Sequence, residues 1–250
     1  MRGITLPDGG DFQLRDLRIE IGADGKPRMA PPTVAVRADL WPYWLAEGID
    51  GAVDSSVHAA LIPEALAQRR EDEVNKLLIH ELRASMRALT SSAFAIDAFY
   101  GSVKERAGEH PQNALWRENG TARYKQVVET FHHHLKIRDN HSVKEARHRI
   151  KQLFQMRDWA VHARSEYQGP IYRPDIDAAV PWQYAAFRSE NAVNAVAMTI
   201  DLMNSFVILL AGADSTLQEW KPRVEDLMGR VIEKYQASSL PPVSQVISET

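Results

Sequence analysis

The chain has 250 residues, of which 44% are hydrophobic and 25% charged, a composition typical of a globular protein with one sizeable core. It contains no cysteine, which excludes disulfides, thiol catalysis and cysteine-ligated zinc or iron–sulfur centres. Because its formal net charge is only −3, attraction to a polyanion must come from a local basic segment. The first ten residues lack an apolar run of signal-peptide length, so we expect a cytoplasmic protein.

Residues 1–60 differ in pattern from the rest of the chain. A period-two stretch within residues 12–21 places Leu17, Ile19 and Ile21 on one side. The sequence Ala-Asp-Gly-Lys at residues 23–26 predicts a turn, and residues 33–36 predict the returning strand. We therefore predict a small β-hairpin appendage, followed by a loop that reaches the helical body near residue 60.

From about Pro63 onward, apolar residues recur every three or four positions, which predicts amphipathic helices. The predicted helices cover residues 63–108 (with a break considered near residues 90–92), 121–137, 142–164, 189–210 and 215–236. Ser142 and Glu145 have the spacing of a capping box at the start of the third of these helices. We predict an all-α fold in which residues 61–237 form a bundle of four to five helices and residues 238–250 form a flexible tail.

Two further segments carry specific expectations. The most apolar run, residues 195–213, is interrupted by Asp201 and Asn204, which favours a buried helix over a membrane span. The loop over residues 167–182 is long, contains three prolines and several aromatic residues, and is expected to cover a site.

The third predicted helix carries charges at positions where its pattern calls for apolar residues. Its apolar stripe consists of Val143, Ala146, Ile150 and Leu153, which follow one another at intervals of three or four residues. The next two positions at this interval are Arg157 and Val161. Because burying an unpaired charge is costly, Arg157 and Asp158 must be paired or serve a site. His162 follows Asp158 by four residues, so that carboxylate is expected to orient the imidazole and favour its protonated form. The structural alternative is a buried ion pair within the bundle, with His162 a packed neighbour.

The surroundings of these residues are basic. Residues 117–164 contain eleven Lys and Arg residues against five Asp and Glu, a local balance of +6. Such a segment can attract phosphate backbones, although a solvated helix surface has the same composition. Asp97 falls near the apolar stripe of the long helix and is expected to pair with a basic residue of the third helix.

Other chemistries find little support in the sequence. His132, His133 and His134 are consecutive, and helix residues point about 100° apart, so the three cannot grip one ion and predict a solvated face. Neither a glycine-rich phosphate loop nor a nucleophile elbow of the GxSxG type is present. We predict no metal, no other cofactor and no membrane association.

At Arg157 the chain resembles the HEPN superfamily (higher eukaryotes and prokaryotes nucleotide-binding domains), whose four- or five-helix domains carry an Arg-x(4–6)-His motif. Here the motif consists of Arg157, Asp158, three residues and His162, and Asp158 stands where the superfamily more often has asparagine. Residues 91–100 also resemble the first helix of that family, and the whole resemblance covers residues 64–236. It leaves the first sixty residues unexplained.

The resemblance implies metal-independent cleavage of RNA in a symmetric homodimer, with Arg157, Asp158 and His162 from both subunits forming a composite site. The 2′-hydroxyl of the RNA would be the nucleophile, His162 would move the proton and Arg157 would hold the phosphate. Basic residues would hold the RNA backbone: Lys144, Arg147, Lys151 and Arg164. One alternative is a catalytically silent RNA- or nucleotide-binding module, since many members of the superfamily keep the fold without catalysis. Another is a helical interaction module of a toxin or defence system, whose protein partner, such as an antitoxin, binds the N-terminal hairpin.

Overall fold

A computed structural model describes residues 10–16, 18–30, 33–162 and 168–248 of the chain. The chain divides into two compact units, Met1–Leu40 and Trp41–Thr250. The first unit consists of short β-strands and the second is helical with one further hairpin. The fold is therefore all-α with a small N-terminal β appendage, as predicted.

The first unit is a hairpin whose two arms pair in two segments. Strand β1 (Gly10–Arg15) pairs antiparallel with β4 (Thr33–Ala38), and β2 (Ile19–Ile21) pairs antiparallel with β3 (Pro27–Met29). The predicted turn forms at Gly25, whose φ of 70° suits a residue without a Cβ atom. Ile19 lies opposite Met29 in the register, and both side chains are exposed. Leu17, predicted on the same side as Ile19, lies outside the described residues.

The helical unit contains nine helices and one β-hairpin within the described residues. The elements are α1 (Trp41–Ala67), α2 (Glu71–Ala107), α3 (Asn113–Glu118), α4 (Arg123–His134), α5 (Asn140–Val161), β5 (Ile171–Arg173), β6 (Ala178–Val180), α6 (Trp182–Ala186), α7 (Ser189–Leu209), α8 (Ser215–Gln236) and α9 (Val243–Ser248). The predicted helices at residues 121–137, 189–210 and 215–236 correspond to α4, α7 and α8.

Helix α1 corrects the predicted extent of the appendage, because residues 41–60 are helical and belong to the bundle. Trp41, Leu45 and Ile49 recur every four residues and are buried. The sequence concealed this helix because three other buried positions carry Gly48, Gly51 and Ser55, small residues of low helix propensity. A Cβ atom at Gly51 would lie 2.8 Å from the backbone nitrogen of Ala88, so this glycine permits close contact between α1 and α2.

Helix α2 continues without a break through residues 90–92, although the Thr-Ser-Ser sequence there suggests one. The Thr90 hydroxyl donates to the carbonyl of Met86 at 2.7 Å, and the Ser92 hydroxyl donates to the carbonyl of Ala88 at 2.8 Å. These bonds satisfy the polar side chains without taking a backbone partner away from the helix. The helix also packs closely on α1, where the hydroxyl oxygens of Ser55 and Ser85 are 2.6 Å apart.

The core of the bundle centres on Phe99 of α2. Its ring packs against four other aromatic rings at centroid distances of 5.6–6.5 Å, those of Trp41, Phe131, Phe206 and Trp220. These rings come from α1, α4, α7 and α8, so one cluster ties most of the long helices together.

Helix α7 supplies the most apolar part of the core. Among the described residues, the segment Ser189–Gly212 is the one stretch of helix long and apolar enough to cross a membrane, and more than half of its apolar window is buried inside the bundle. Such burial is the behaviour of a core helix, as the interrupting Asp201 and Asn204 indicated.

Residues 238–248 were predicted as part of a flexible tail, and this prediction is wrong. Leu240 and Val246 are buried in the core cluster, and α9 packs against α7. The Tyr235 hydroxyl donates to the carbonyl of Pro241 at 2.7 Å and fixes the turn into this segment. Residues 249 and 250 lie outside the described residues.

Candidate functional site

Helix α5 carries the residues predicted to form the site. It begins at Asn140 because the Asp139 carboxylate caps it, accepting bonds from the backbone N–H groups of His141 and Ser142 at 3.2 and 2.7 Å. This aspartate replaces the capping box predicted from Ser142 and Glu145. The helix ends at Val161, three residues earlier than predicted.

The apolar stripe of α5 is buried over most of its length, as predicted, but it leaves the core in the last turn. The four residues that precede Arg157 in the stripe are all buried: Val143, Ala146, Ile150 and Leu153. The side chain of Arg157 is 19% exposed, and Val161, the next residue of the stripe, is 60% exposed. Cover by the neighbouring elements therefore decreases along this last turn, from a mostly buried Arg157 to a mostly exposed Val161.

Arg157 and Asp158 pair with one another at this end. The Arg157 Nε and Nη2 atoms donate to Asp158 Oδ1 at 3.0 and 2.8 Å, and the guanidinium lies 4.5 Å above the Phe154 ring. Asp158 is 52% exposed, so the pair is screened by solvent and contributes about 0–1 kcal/mol to stability. The two residues therefore pair, as the structural alternative predicts, but the pair is only partly buried.

His162 follows the helix as its C-terminal cap. Its backbone N–H donates to the carbonyl of Asp158 at 2.9 Å, while its φ of −108° and ψ of 120° leave the helical conformation. Within the described residues, no hydrogen bond or ion pair joins its exposed imidazole to the Asp158 carboxylate. The expected orientation of His162 by Asp158 is wrong, because the relation between residues four apart holds only while the helix continues.

The predicted RNA-binding residues differ in whether they already form an ion pair within the bundle. Lys144 and Lys151 are exposed, and neither forms an ion pair with another described residue. They are seven residues apart on α5, which is two helical turns, so they project from the same side, and Asp158 follows after two more turns. Arg147 is already paired with Glu129 of α4. Arg164 lies outside the described residues.

Other basic residues of this segment are neutralised within the bundle. Arg149 pairs with Asp201 at 2.8 Å and also with Glu145. Asp97 accepts a bond of 2.8 Å from Arg123 of α4, not from α5 as predicted. On α5, the basic surface is therefore the side that carries Lys144 and Lys151.

The triple histidine is solvated at two of its three positions. His132 and His133 are exposed, but His134 is buried and its Nε2 atom has no partner. The His133 ring lies 4.8 Å from those of His134 and His110. Burial lowers the pKa of both His110 and His134, and the neighbouring His133 lowers them further. Among the described residues, no group of three ligating side chains could hold a metal ion.

Sequence reasoning missed the buried ion pair of the helical unit, which joins Glu81 of α2 to Arg173 of the β5–β6 hairpin. Arg173 donates to the two Glu81 carboxylate oxygens at 2.9 and 3.3 Å, and to Asp175 and the carbonyl of Tyr184. Glu81 also accepts the backbone N–H of Ser189 at the start of α7. The loop predicted to cover a site is thus a hairpin anchored to α2. The signal was Glu81 itself, four residues after buried Leu77 on the inner face of α2.

A groove of about 920 Å³ lies between α5, α7 and α9. Lys144 lines it, as do Gln155 and Trp159, the latter directly after Asp158. Neither Arg157 nor His162 is part of its lining, so the groove adjoins the motif on the helix without containing it.

Comparisons with protein-family models, with curated proteins and with solved structures found no match.

Proposed function

We propose that the protein is a cytoplasmic, metal-independent endoribonuclease of the HEPN type, with Arg157 and His162 as its catalytic residues and Asp158 as the carboxylate that pairs with Arg157 until a phosphate replaces it. The observation that carries the proposal is that all three lie at one end of α5, where Asp158 and His162 are exposed and Arg157 is partly exposed. A guanidinium, a carboxylate and an imidazole at one accessible helix end are the side chains that phosphate binding and acid–base chemistry use.

The chemistry needs only groups that this end of α5 supplies. The oxygen of the 2′-hydroxyl attacks the adjacent phosphorus, the bond from phosphorus to the 5′-oxygen breaks, one proton leaves the hydroxyl and another reaches the departing oxygen. His162 accepts the proton of the 2′-hydroxyl and returns a proton to the departing 5′-oxygen. Arg157 holds the nonbridging phosphate oxygens with its planar fork. Asp158 occupies the Nε and Nη2 donors of that fork, but because their contact is exposed and weak, a phosphate can compete for them.

The site is proposed to be completed by a second copy of the chain in a symmetric homodimer. His162 lies outside the helix that holds Arg157, and no contact joins the two side chains among the described residues. Exposed Val161 gives the same end an apolar contact for a second copy. If two such ends face each other, Arg157 of one protomer can act with His162 of its partner across one phosphate.

The experiment is cleavage of total RNA and of a defined oligoribonucleotide by purified protein in excess EDTA. We expect fragments ending in a 2′,3′-cyclic phosphate and fragments beginning with a 5′-hydroxyl, and no cleavage of DNA of the same sequence. His162→Ala and Arg157→Ala should abolish the activity, whereas His132→Ala, which removes an exposed histidine of α4, should retain it. Activity that stops in EDTA, or that proceeds equally on DNA, contradicts the mechanism.

A catalytically silent RNA-binding module is the second candidate, and the contact between Asp158 and Arg157 favours it. That contact uses two of the donors that would otherwise hold a phosphate. The variant Asp158→Asn removes the charge and introduces the residue more frequent in the resembled superfamily. Cleavage that rises in Asp158→Asn supports the enzyme, whereas RNA binding without cleavage in both proteins supports the silent module.

The hairpin of the first unit supports a further protein partner, such as an antitoxin or another defence component. Phe12 lies opposite Val36 on one side of the β1–β4 pair, and both are exposed, as is Val34. An isolated two-stranded hairpin with an exposed apolar side is marginally stable in water, and a partner that covered this side would stabilise it.

A further inference from the structure

The groove between α5, α7 and α9 combines an apolar floor with polar side chains, several of which form no hydrogen bond to another described residue. Its volume of about 920 Å³ falls in the range of sites that hold small molecules or single nucleotide units. Leu89, Met156 and Met198 contribute apolar surface, and Val246 of α9 lines it as well. A planar, weakly polar group could rest on such a floor without stranding a charge.

Four carboxamide side chains are among the polar groups that line the groove, and one of them, Asn191, already donates to the carbonyls of Ala185 and Ala186. Gln152 and Gln155 of α5 and Asn194 of α7 line it, and none of the three forms a side-chain hydrogen bond with another described residue. Each carboxamide presents a donor and an acceptor side by side, the pattern with which Asn and Gln pair to the edges of nucleobases. One carboxylate, that of Glu145, lines the groove, and it is already paired with Arg149.

The rim of the groove is basic and continues toward the motif. Lys144 and His148 lie one helical turn apart on the exposed side of α5, and both line the groove. Lys151 projects from the same side. Trp159 closes the end nearest the motif, and its ring packs edge-to-face against Trp182 at 5.9 Å.

We propose that the groove binds one unpaired nucleobase of single-stranded RNA, with the carboxamides contacting the edge of the base and Lys144 and His148 holding its phosphate. The inference deepens the proposed function and rests on it for the identity of the polymer. It makes the substrate a single strand, because a paired base cannot leave its duplex to enter the groove without unstacking.

The test measures binding, so that it does not depend on cleavage. The probes are a fluorescein-labelled heptaribonucleotide of mixed sequence, a duplex RNA of twelve base pairs, and unlabelled nucleoside monophosphates as competitors. Asn194→Leu replaces a carboxamide by an apolar group of similar shape, and we expect it to weaken single-strand binding about tenfold while duplex binding stays unchanged. Asn204→Leu is the matched control, since Asn204 is exposed on the same helix and does not line the groove.

Gln155→Leu provides a second variant at an exposed position that the fold does not need, so a failure of Asn194→Leu to fold leaves the proposal testable. Lys144→Ala should weaken binding and reduce its dependence on salt, as expected for a lost phosphate contact. Each groove variant and the control are measured alone and in combination with His162→Ala. The second substitution protects the RNA from cleavage if the enzyme is active.

Three results would overturn the inference. Equal weakening of single-strand and duplex binding by Asn194→Leu and Gln155→Leu would point to a general effect on the protein. Unchanged single-strand binding in both variants would remove the groove from RNA recognition. Micromolar binding of a monophosphate that the heptaribonucleotide does not displace would assign the groove to a free nucleotide. Single-strand binding that depends on the groove in a protein without cleavage would keep this inference and refute the proposed enzyme.

Discussion

Two arginine–carboxylate pairs of the helical unit differ greatly in burial, and removing each arginine should therefore destabilise the fold by a very different amount. The side chains of Arg173 and Glu81 are each 2% exposed. Arg173→Ala leaves the Glu81 carboxylate buried with only the Ser189 N–H as partner, which should cost about 3–5 kcal/mol of the free energy of unfolding. Arg157→Ala releases the half-exposed Asp158 to water and removes the guanidinium from the Phe154 ring, and these two losses together should cost about 1–2 kcal/mol.

Thermal unfolding followed by circular dichroism checks this contrast. For a chain of this size, about 1 kcal/mol corresponds to roughly 2–4 °C, so Arg173→Ala should lower the melting temperature by roughly 6–20 °C. Arg157→Ala should lower it by no more than roughly 8 °C, in the same buffer. A large loss of stability in Arg157→Ala, with RNA cleavage absent from the wild type, would return Arg157 to a structural role and refute the reasoning behind the site.

Three further predictions concern assembly, packing and pH. Light scattering should find a homodimer at micromolar concentration, and a strict monomer would remove the composite site. Gly51→Ala should destabilise by about 1–3 kcal/mol in urea unfolding, because the new Cβ meets the α2 backbone, whereas Gly229→Ala, with open space around it in α8, should stabilise by up to about 1 kcal/mol. The pKa values of His110 and His134 are lowered in the folded chain, so protons bind more tightly to the unfolded chain. The stability that the neutral histidines give is therefore fully present above about pH 6.5. It is lost as the pH falls from that value toward the lowered pKa values of the folded chain. A urea midpoint that does not fall between pH 8 and pH 5.5, or that falls equally in His134→Leu, would contradict this origin.

The elements that the sequence predicted well are those whose own residues determine them. Helix α8 spans Ser215–Gln236, as predicted, because Asp214 caps it and its apolar residues recur along one face. The buried part of the α5 stripe is of the same kind. In both helices the apolar period marks a continuous contact with the core, and no information from distant residues is needed.

The elements that the sequence concealed depend on partners far along the chain. Helix α1 packs on α2 through small residues, and glycine at Gly48 and Gly51 indicates a loop unless the facing backbone of α2 is known. Glu81 reads as a stray charge in an amphipathic helix, since its partner Arg173 is 92 residues away in a loop-like segment. Whether a small or charged side chain is buried depends on both surfaces that meet at the contact, and the local sequence describes only one of them.

The candidate site shows the same distinction within one helix. The period of α5 correctly placed Arg157 on the line of its buried face, but it could not show that the bundle covers this arginine only in part and leaves Asp158 half-exposed. A fully buried pair would be fixed, whereas a pair that water reaches through Asp158 forms a weaker contact that a phosphate can exchange. The extent to which the neighbouring helices cover this end of α5 therefore decides how available these charges are to a ligand.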